Sequence, residues 1–378
     1  MRSCAGDAVT PLTVLYDGEM FTTQPAGGVN RYFERVIGGL PRDWTPVLTT
    51  AERRDVHFPA HPRLRVHHFQ RYGFRPGRVA YWLEPHVFRF AERRAHADVL
   101  HPTDYRLLTR RAFDRVRTPL VVTVWDMIHE LFAARMDPTG RVAAEKRRAV
   151  EAAALVVCIS ESTRRDLLAR IPVPPERVVV THLAGGIDPA VAGAPVGGRP
   201  YLLHVGSRAA GYKNFDGLLA AFARVVARVP DVLLRTTGRP FDADETRRIA
   251  ELRLTQHVVH EGLVADTRLA ALYRDALALV VPSLYEGFGI PPLEAAACGT
   301  AVAAARVASL PEVLGDDAAW FDPHDVDAMA HALLGLVEDA ALRTELAARG
   351  PARAARYSWE RTVAETVAVY RRAVASAS

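Results

Sequence analysis

Two glutamates with seven residues between them stand in EGFGIPPLEAAACG, at Glu286 and Glu294. The apolar run ALALVV (276–281) ends just before them and reads as a strand. Gly287 and Gly289 allow the backbone to approach a ligand closely. Pro291 and Pro292 suit a first helical turn, which puts Glu294 near a helix start. Free N–H groups at such a turn attract phosphate, whereas a carboxylate only accepts hydrogen bonds and so suits hydroxyls. The segment predicts a ligand with both hydroxyls and phosphate. A solvated Glu286 and a Glu294 that merely favours a helix N-terminus are the bland alternative.

Three other segments carry chemistry. VGSRAAGYKN (205–214) follows another strand, and its Arg208 and Lys213 are expected to hang over the carboxyl edge of the sheet. Arginine grips phosphate as a planar fork and lysine as a point charge. Lys213 is one of only two lysines, the other being Lys146. Gly27 and Gly28 follow the first strand, where a tight turn and a ligand-facing loop both account for them. In TVWDMIHE (123–130), Asp126 could orient a substrate. His129 could handle a proton or be a structural histidine. The spacing D-x-x-H-E has no second ligand cluster, so a metal site is not expected. Neither a P-loop nor a GxGxxG fingerprint occurs.

Alternating strands and helices must position these groups. Strands are expected at 12–16, 46–50, 64–69, 97–101, 119–125, 154–160 and 177–183, with helices between them, including 78–95, 140–152 and 161–170. Such βα repeats imply an α/β fold of doubly wound parallel sheets. AGGIDPAVAGAPVGGRP (184–200) breaks the rhythm and reads as a linker. A second lobe restarts at YLLHV (201–205), with a helix over 214–229 N-capped by Asn214. The expected division is 1–185, a linker at 186–199, a second domain at 200–358 and a last helix at 359–378.

Composition excludes other classes. With 49% hydrophobic and 24% charged residues, the 378-residue chain is globular, not disordered. No apolar run is long enough to span a membrane, and no secretory signal is visible. Cys4, Cys158 and Cys298 lie far apart, which fits a reducing cytoplasm. Net charge is +8 over residues 1–185 and −3 over the rest. Arginine-biased codon usage accounts for this, as does a first lobe facing an anionic substrate or a membrane surface.

GGVNRYF, VVTVWDMIHE, VVCISESTRRDL, HVGSRAAGYKNFDGLLAAFA and VVPSLYEGFGIPPLEAAACGTAV together resemble glycosyltransferase family 4 along the whole chain. The resemblance implies the GT-B fold, in which two Rossmann-like domains face each other across a cleft. It also implies a retaining transferase that uses a nucleotide-activated sugar without a metal or other cofactor. By resemblance, Arg208 and Lys213 neutralise the donor diphosphate, Glu286 holds donor-sugar hydroxyls, and Glu294 holds the ribose. Gly287, Phe288, Gly289 and Ile290 cradle phosphate and sugar. Gly206 and Ser207 belong to the donor loop, Gly27 and Gly28 face the phosphates, and Leu263 and Val264 line the base. Asp126 matches a site carboxylate. The last helix is expected to cross back onto the first domain. Many members have histidine before that aspartate, where this chain has Trp125; an indole cannot carry that proton. Trp125 and His129 are then candidate sugar or acceptor contacts.

The partners implied are a nucleotide-sugar donor and a glycan, lipid-linked or small-molecule acceptor, with no nucleic acid. Peripheral contact with the inner membrane face through the basic first domain is a further expectation. Two rivals stand beside this reading. A nucleotide-sugar epimerase on the same fold would need no acceptor, and a non-catalytic anion-binding protein would show salt-sensitive binding without turnover.

Overall fold

Unbroken apolar runs such as LVVC and ALVV have no polar face to offer water, so they form strands buried on both sides; VVTV is buried likewise, with its one hydroxyl bonded to His101. The computed structural model describes residues 10–24, 27–51, 58–70, 77–191, 193–208 and 211–376. Cys4, Ala209 and Ala210 lie outside them. The first lobe contains β1 (Thr13–Asp17), β2 (Thr45–Ala51), β3 (Arg65–Phe69), β4 (Val99–Leu100), β5 (Val121–Val124), β6 (Leu155–Cys158) and β7 (Val178–Val180). They pair in the orders β3-β2-β1-β4 and β5-β6-β7, all parallel. A parallel bridge between Leu100 and Leu120 joins the two pieces.

The second lobe contains β8 (Tyr201–His204), β9 (Leu233–Thr237), β10 (Val258–Gly262), β11 (Ala278–Val281), β12 (Val302–Ala305) and β13 (Ala319–Phe321). Their order is β10-β9-β8-β11-β12-β13. Both lobes therefore reverse strand order beside their first strand, as a Rossmann sheet does. Ligands of such sheets bind outside the carboxyl ends at that reversal. In the second lobe, the loops after β8 and β11 meet there.

The two carboxyl edges face each other. The Trp359–Ala375 helix packs back on the first lobe, with the Tyr370 hydroxyl 3.1 Å from that of Tyr16 and 2.6 Å from His101 Nδ1. His101 Nε2 lies 2.8 Å from the Thr123 hydroxyl. Burial holds His101 neutral, with its pKa lowered to about 3. This histidine therefore acts as a hydrogen-bonding strut in the core.

Two expectations need correction. Asn214 occupies the N-cap position of the Phe215–Arg228 helix, but its side chain does not cap it. Its backbone is left-handed (φ 53°), and its amide donates to the Pro282 and Pro323 carbonyls at 3.1 and 2.8 Å. A side-chain NH2 has two donors, so Asn214 ties together three loops at the sheet edge. The sequence reading also omitted β13 and the five-residue Leu310–Leu314 helix, each too short to show a period.

Candidate functional site

The loops after β8 and β11 bring Lys213 and Glu286 together. Lys213 Nζ donates to both Glu286 oxygens, at 2.8 and 3.0 Å. The Ser283 hydroxyl donates to Glu286 Oε1 at 2.6 Å. Burial, the largest single influence, lowers the Lys213 pKa; Glu286, with Tyr212 and Asp126, together outweigh it and raise the pKa. The ammonium is therefore permanent at neutral pH. Tyr212 O accepts from Leu284 N at 2.7 Å, which couples the two loops. The buried Ser309 hydroxyl sits 2.8 and 3.0 Å from the carbonyls of Glu286 and Phe288. Gly289 is left-handed (φ 98°), and a Cβ there would lie 2.8 Å from Leu310 Cδ2. Glycine is thus required where the chain enters the Ile290–Ala297 helix, with Pro291 and Pro292 in its first turn.

Arg208 departs from expectation. Its side chain is 0% exposed and does not hang over the sheet edge. Nε donates to Glu245 at 3.2 Å and Nη1 to the Thr237 carbonyl at 2.9 Å, while Nη2 reaches the Arg239 carbonyl. The guanidinium also faces the Phe241 ring at 4.8 Å. Its planar fork satisfies carbonyls that β9 and its following loop leave unpaired. Gly206 is left-handed (φ 122°), and Ser207 is exposed beside it. Arg208 therefore lies beneath the loop after β8 and Lys213 at its end.

Glu294 is buried and already engaged. Oε1 accepts from Gly186 N at 2.8 Å and Arg31 Nη1 at 3.2 Å, and Oε2 from the Tyr273 hydroxyl at 3.1 Å. Burial raises its pKa despite these donors. Arg31 belongs to the first-lobe helix Gly28–Gly38 and also reaches Asp266 at 3.5 Å. Gly27 is the N-cap of that helix, and a Cβ on Gly28 would lie 3.8 Å from Ile290 Cδ1. The two glycines therefore open a helix whose N-terminus meets the second lobe's glycine turn. Leu263, beyond β10, stands 91% exposed, whereas Val264 packs into the core. An exposed apolar side chain on this loop can pack against a flat ring.

The first lobe supplies Trp125, Asp126 and His129 after β5. The Trp125 indole meets Tyr32 edge-on at 5.0 Å and Phe33 at 6.0 Å. It is part of an aromatic cluster. Asp126 caps Ile128 N at 3.2 Å, and its charge acts on Lys213 and Tyr212 across the cleft. His129 Nδ1 is buried and makes no hydrogen bond among the described residues. Lys146, 1% exposed, donates to the Asp126 carbonyl at 2.9 Å and to Glu130 at 2.8 Å. It fixes the Asp126 loop. The scarcity of lysine pointed at Lys146 too, but sequence spacing gave it no partner.

The lobes touch where a Cβ on Gly287 would fall 2.1 Å from the Trp125 carbonyl oxygen. Backbone cannot yield cheaply, so Gly287→Ala must part the two edges. A misplacement of about 1 Å costs about 100-fold in rate. We expect that loss in turnover with each lobe still folded by circular dichroism; unchanged turnover would show that the edges need not meet.

Glu312 was not anticipated. It leaves the second lobe and accepts from Glu161 N at 2.9 Å, Ser162 N at 3.1 Å and His182 Nε2 at 2.7 Å. A second-lobe carboxylate thus caps the first-lobe helix Glu161–Leu168. Burial pushes its pKa up, but His182 and the two amides outweigh this and lower it. Its contribution to stability is complete above the ordinary glutamate range and is lost as pH falls through the depressed folded pKa. Melting curves should therefore show wild type above Glu312→Gln at neutral pH, with the gap closing in acid. A gap independent of pH would contradict this.

Among the described residues no cluster of His, Cys, Asp and Glu could hold a metal, and no helix is long and apolar enough to cross a membrane. Sequence models of two families match the chain: "Glycosyltransferase Family 4" over 26–190 and "Glycosyl transferases group 1" over 192–353. The chain is 33% identical over 303 residues to MMP alpha-(1->4)-mannosyltransferase of Mycolicibacterium hassiacum, covering 75% of this chain and 73% of that one. It is 32% identical over 235 residues to O-antigen chain mannosyltransferase B of Escherichia coli, covering 59% and 61%. The chain thus spans less than two thirds of that Escherichia coli relative. Sucrose-phosphate synthase from Thermosynechococcus elongatus superposes with a TM-score of 0.77 at 20% identity, over 97% of this chain and 100% of that one.

Proposed function

The chain belongs to the group 1 glycosyltransferases, and from that premise we propose that it moves a hexose from a nucleoside-diphosphate sugar to an acceptor hydroxyl with retention of configuration. The observation that carries this is the Lys213–Glu286 pair at the strand-order reversal, opposite the Gly28–Gly38 helix N-terminus. One ammonium, one carboxylate and a set of free helix amides suit a diphosphate joined to a hydroxylated ring.

In this mechanism Lys213 neutralises the charge that grows on the departing diphosphate. Glu286 accepts hydrogen bonds from sugar hydroxyls. The C1–O bond to phosphate breaks and the C1–O bond to the acceptor forms on the same face. The acceptor proton passes to the departing phosphate oxygen, so Trp125 in place of histidine leaves the step feasible. Asp126, held by Lys146 through its carbonyl, orients the acceptor hydroxyl. Glu294 receives the ribose when Arg31 withdraws, with Leu263 and Val264 beside the base. Gly206, Ser207, Gly287, Phe288, Gly289 and Ile290 line the phosphate and sugar. Protein cations supply the countercharge, and neither a metal nor another cofactor is invoked.

GDP-mannose leads among donors, because both curated relatives named above are mannosyltransferases; a UDP-sugar is the alternative. The acceptor is a glycan, a lipid-linked glycan or a small molecule, met in the cytoplasm or at the inner membrane face. Thermal shift with UDP, GDP, dTDP and ADP, with and without EDTA, tests the donor site. A nucleotide at ~100 Kd stabilises the fold by about 2.7 kcal/mol. We expect one nucleotide, GDP first, to raise Tm regardless of EDTA. No shift with any of them would overturn the reading.

A further inference from the structure

The first lobe carries a charge arrangement that the donor chemistry leaves unused. Arg89, Arg93, Arg110, Arg111 and Arg115 line a hollow of about 340 Å³ with Ala112, and no acid is among the described lining residues. Like charges gathered at this density repel unless an anion neutralises them. Two of the five are anchored. Arg89 Nε donates to the Thr109 carbonyl at 3.1 Å. Arg111 pairs with Glu92 at 3.0 Å and donates to the Arg115 carbonyl at 2.7 Å. These anchors hold the 109–115 segment against the Gly77–Ala95 helix.

Arg110 is placed differently. Its backbone is left-handed (φ 52°), and its guanidinium carbon lies 3.6 Å from the centroid of the Tyr81 ring. Tyr81 is 66% exposed. Stacking engages the face of the guanidinium and leaves its N–H edge for a ligand. A planar edge of donors is the geometry that grips phosphate with two parallel hydrogen bonds.

Arg110, Arg111 and Ala112 also line a neighbouring cavity of about 510 Å³. That cavity continues past Arg106 to Tyr105. The Tyr105 ring centroid lies 5.6 Å from the Lys146 ammonium, which donates to the Asp126 carbonyl at 2.9 Å. A cavity of this volume is in the range that holds a small ligand. It runs from Tyr105, which Lys146 links to the Asp126 loop, to the arginine hollow, with Glu19, Glu84 and Glu145 also on its wall.

We infer that the arginine hollow binds a phosphate group of the acceptor, gripped by Arg110 on its Tyr81 platform, while the adjoining cavity carries the acceptor body to Asp126. The inference rests on the proposed acceptor side of the cleft and adds the chemical class of the acceptor. A soluble sugar phosphate and a lipid headgroup both carry such a phosphate, and the experiment separates the two.

The test uses the full chain with saturating GDP, which fills the donor site. Binding of glucose 1-phosphate is followed by calorimetry, and binding to phosphatidylglycerol vesicles by co-sedimentation against phosphatidylcholine vesicles. Wild type is expected to bind at least one anionic probe. Arg110→Ala should weaken that binding about 10-fold or more, and Tyr81→Leu should weaken it several-fold. Arg110→Lys should restore little, because an ammonium lacks the fork. Binding of glucose 1-phosphate assigns the site to soluble acceptors; selective binding of the anionic vesicles assigns it to lipid headgroups. Failure of wild type to bind either probe, or equal binding by Arg110→Ala, overturns the inference. The thermal shift with UDP, GDP, dTDP or ADP alone is read on the same proteins. A shift with any of the four nucleotides but no probe binding sinks only this inference, whereas absence of a shift with all four in wild type sinks the donor-site reading.

Discussion

Lys213→Ala should lower kcat by about 100- to 1,000-fold, the usual cost of removing one donor aimed at developing charge. The ammonium touches both oxygens of Glu286, and its raised pKa keeps it charged throughout the neutral range. Turnover in the wild type should therefore not fall with Lys213 deprotonation below the ordinary lysine range. Folding should survive, because the side chain is partly exposed and water can solvate Glu286, which also keeps the Ser283 hydroxyl. Lys213→Arg should not rescue fully: a guanidinium can bridge the two Glu286 oxygens, but its larger planar head places the charge elsewhere than the compact ammonium does. Glu286→Ala should produce a loss of similar size, with a different signature: on the proposed role it removes the acceptor for sugar hydroxyls, so the weakening should be larger for the nucleotide sugar than for the free nucleotide. Kinetics with the donor identified by thermal shift decide the matter. Near-wild-type turnover in both variants would remove the pair from the site.

The parts of this site that were legible in the sequence are those encoded within one loop. Glu286, Gly287, Gly289 and the two prolines are fixed by a strand end and a helix start, and their order along the chain dictates their geometry. The strands themselves were legible because runs buried on both faces admit only apolar residues. What was illegible depends on the approach of distant segments. Arg31 and Glu294 are 263 positions apart, and nothing in RYFERV signals a carboxylate in the other lobe. The cap that Glu312 places on the Glu161–Leu168 helix spans the lobes in the same way. Asn214 looked like a helix cap because its position was right; the two carbonyls that claim its amide come from loops 68 and 109 positions away. Arg208 was misread for a related reason. A cation in a loop after a strand is expected to face solvent, but here the following strand and its loop present carbonyls that draw it under the surface.

Arg208 consequently carries the second large prediction, which concerns stability before it concerns rate. Removing one member of a buried ion pair typically costs 3–5 kcal/mol, because the other charge remains buried. Arg239 also reaches Glu245, at 3.0 Å, and partly compensates. The expected loss for Arg208→Ala is therefore about 3 kcal/mol, the low end of that range. For a lobe of this size that corresponds to a fall in Tm of roughly 6–12 °C. Arg208→Lys should recover little, since an ammonium cannot serve Glu245 and the carbonyls of Thr237 and Arg239 in one plane. The resemblance assigns Arg208 to the donor diphosphate, and the two roles give opposite ordering of effects. A structural strut loses denaturation midpoint first, and nucleotide affinity falls only as the loop after β8 loosens. A phosphate ligand would lose turnover with stability held within about 0.5 kcal/mol, as a surface substitution does. Urea denaturation and nucleotide titration of the same variant distinguish them, and the buried fork, the carboxylate beside it and the two carbonyls above it predict the first.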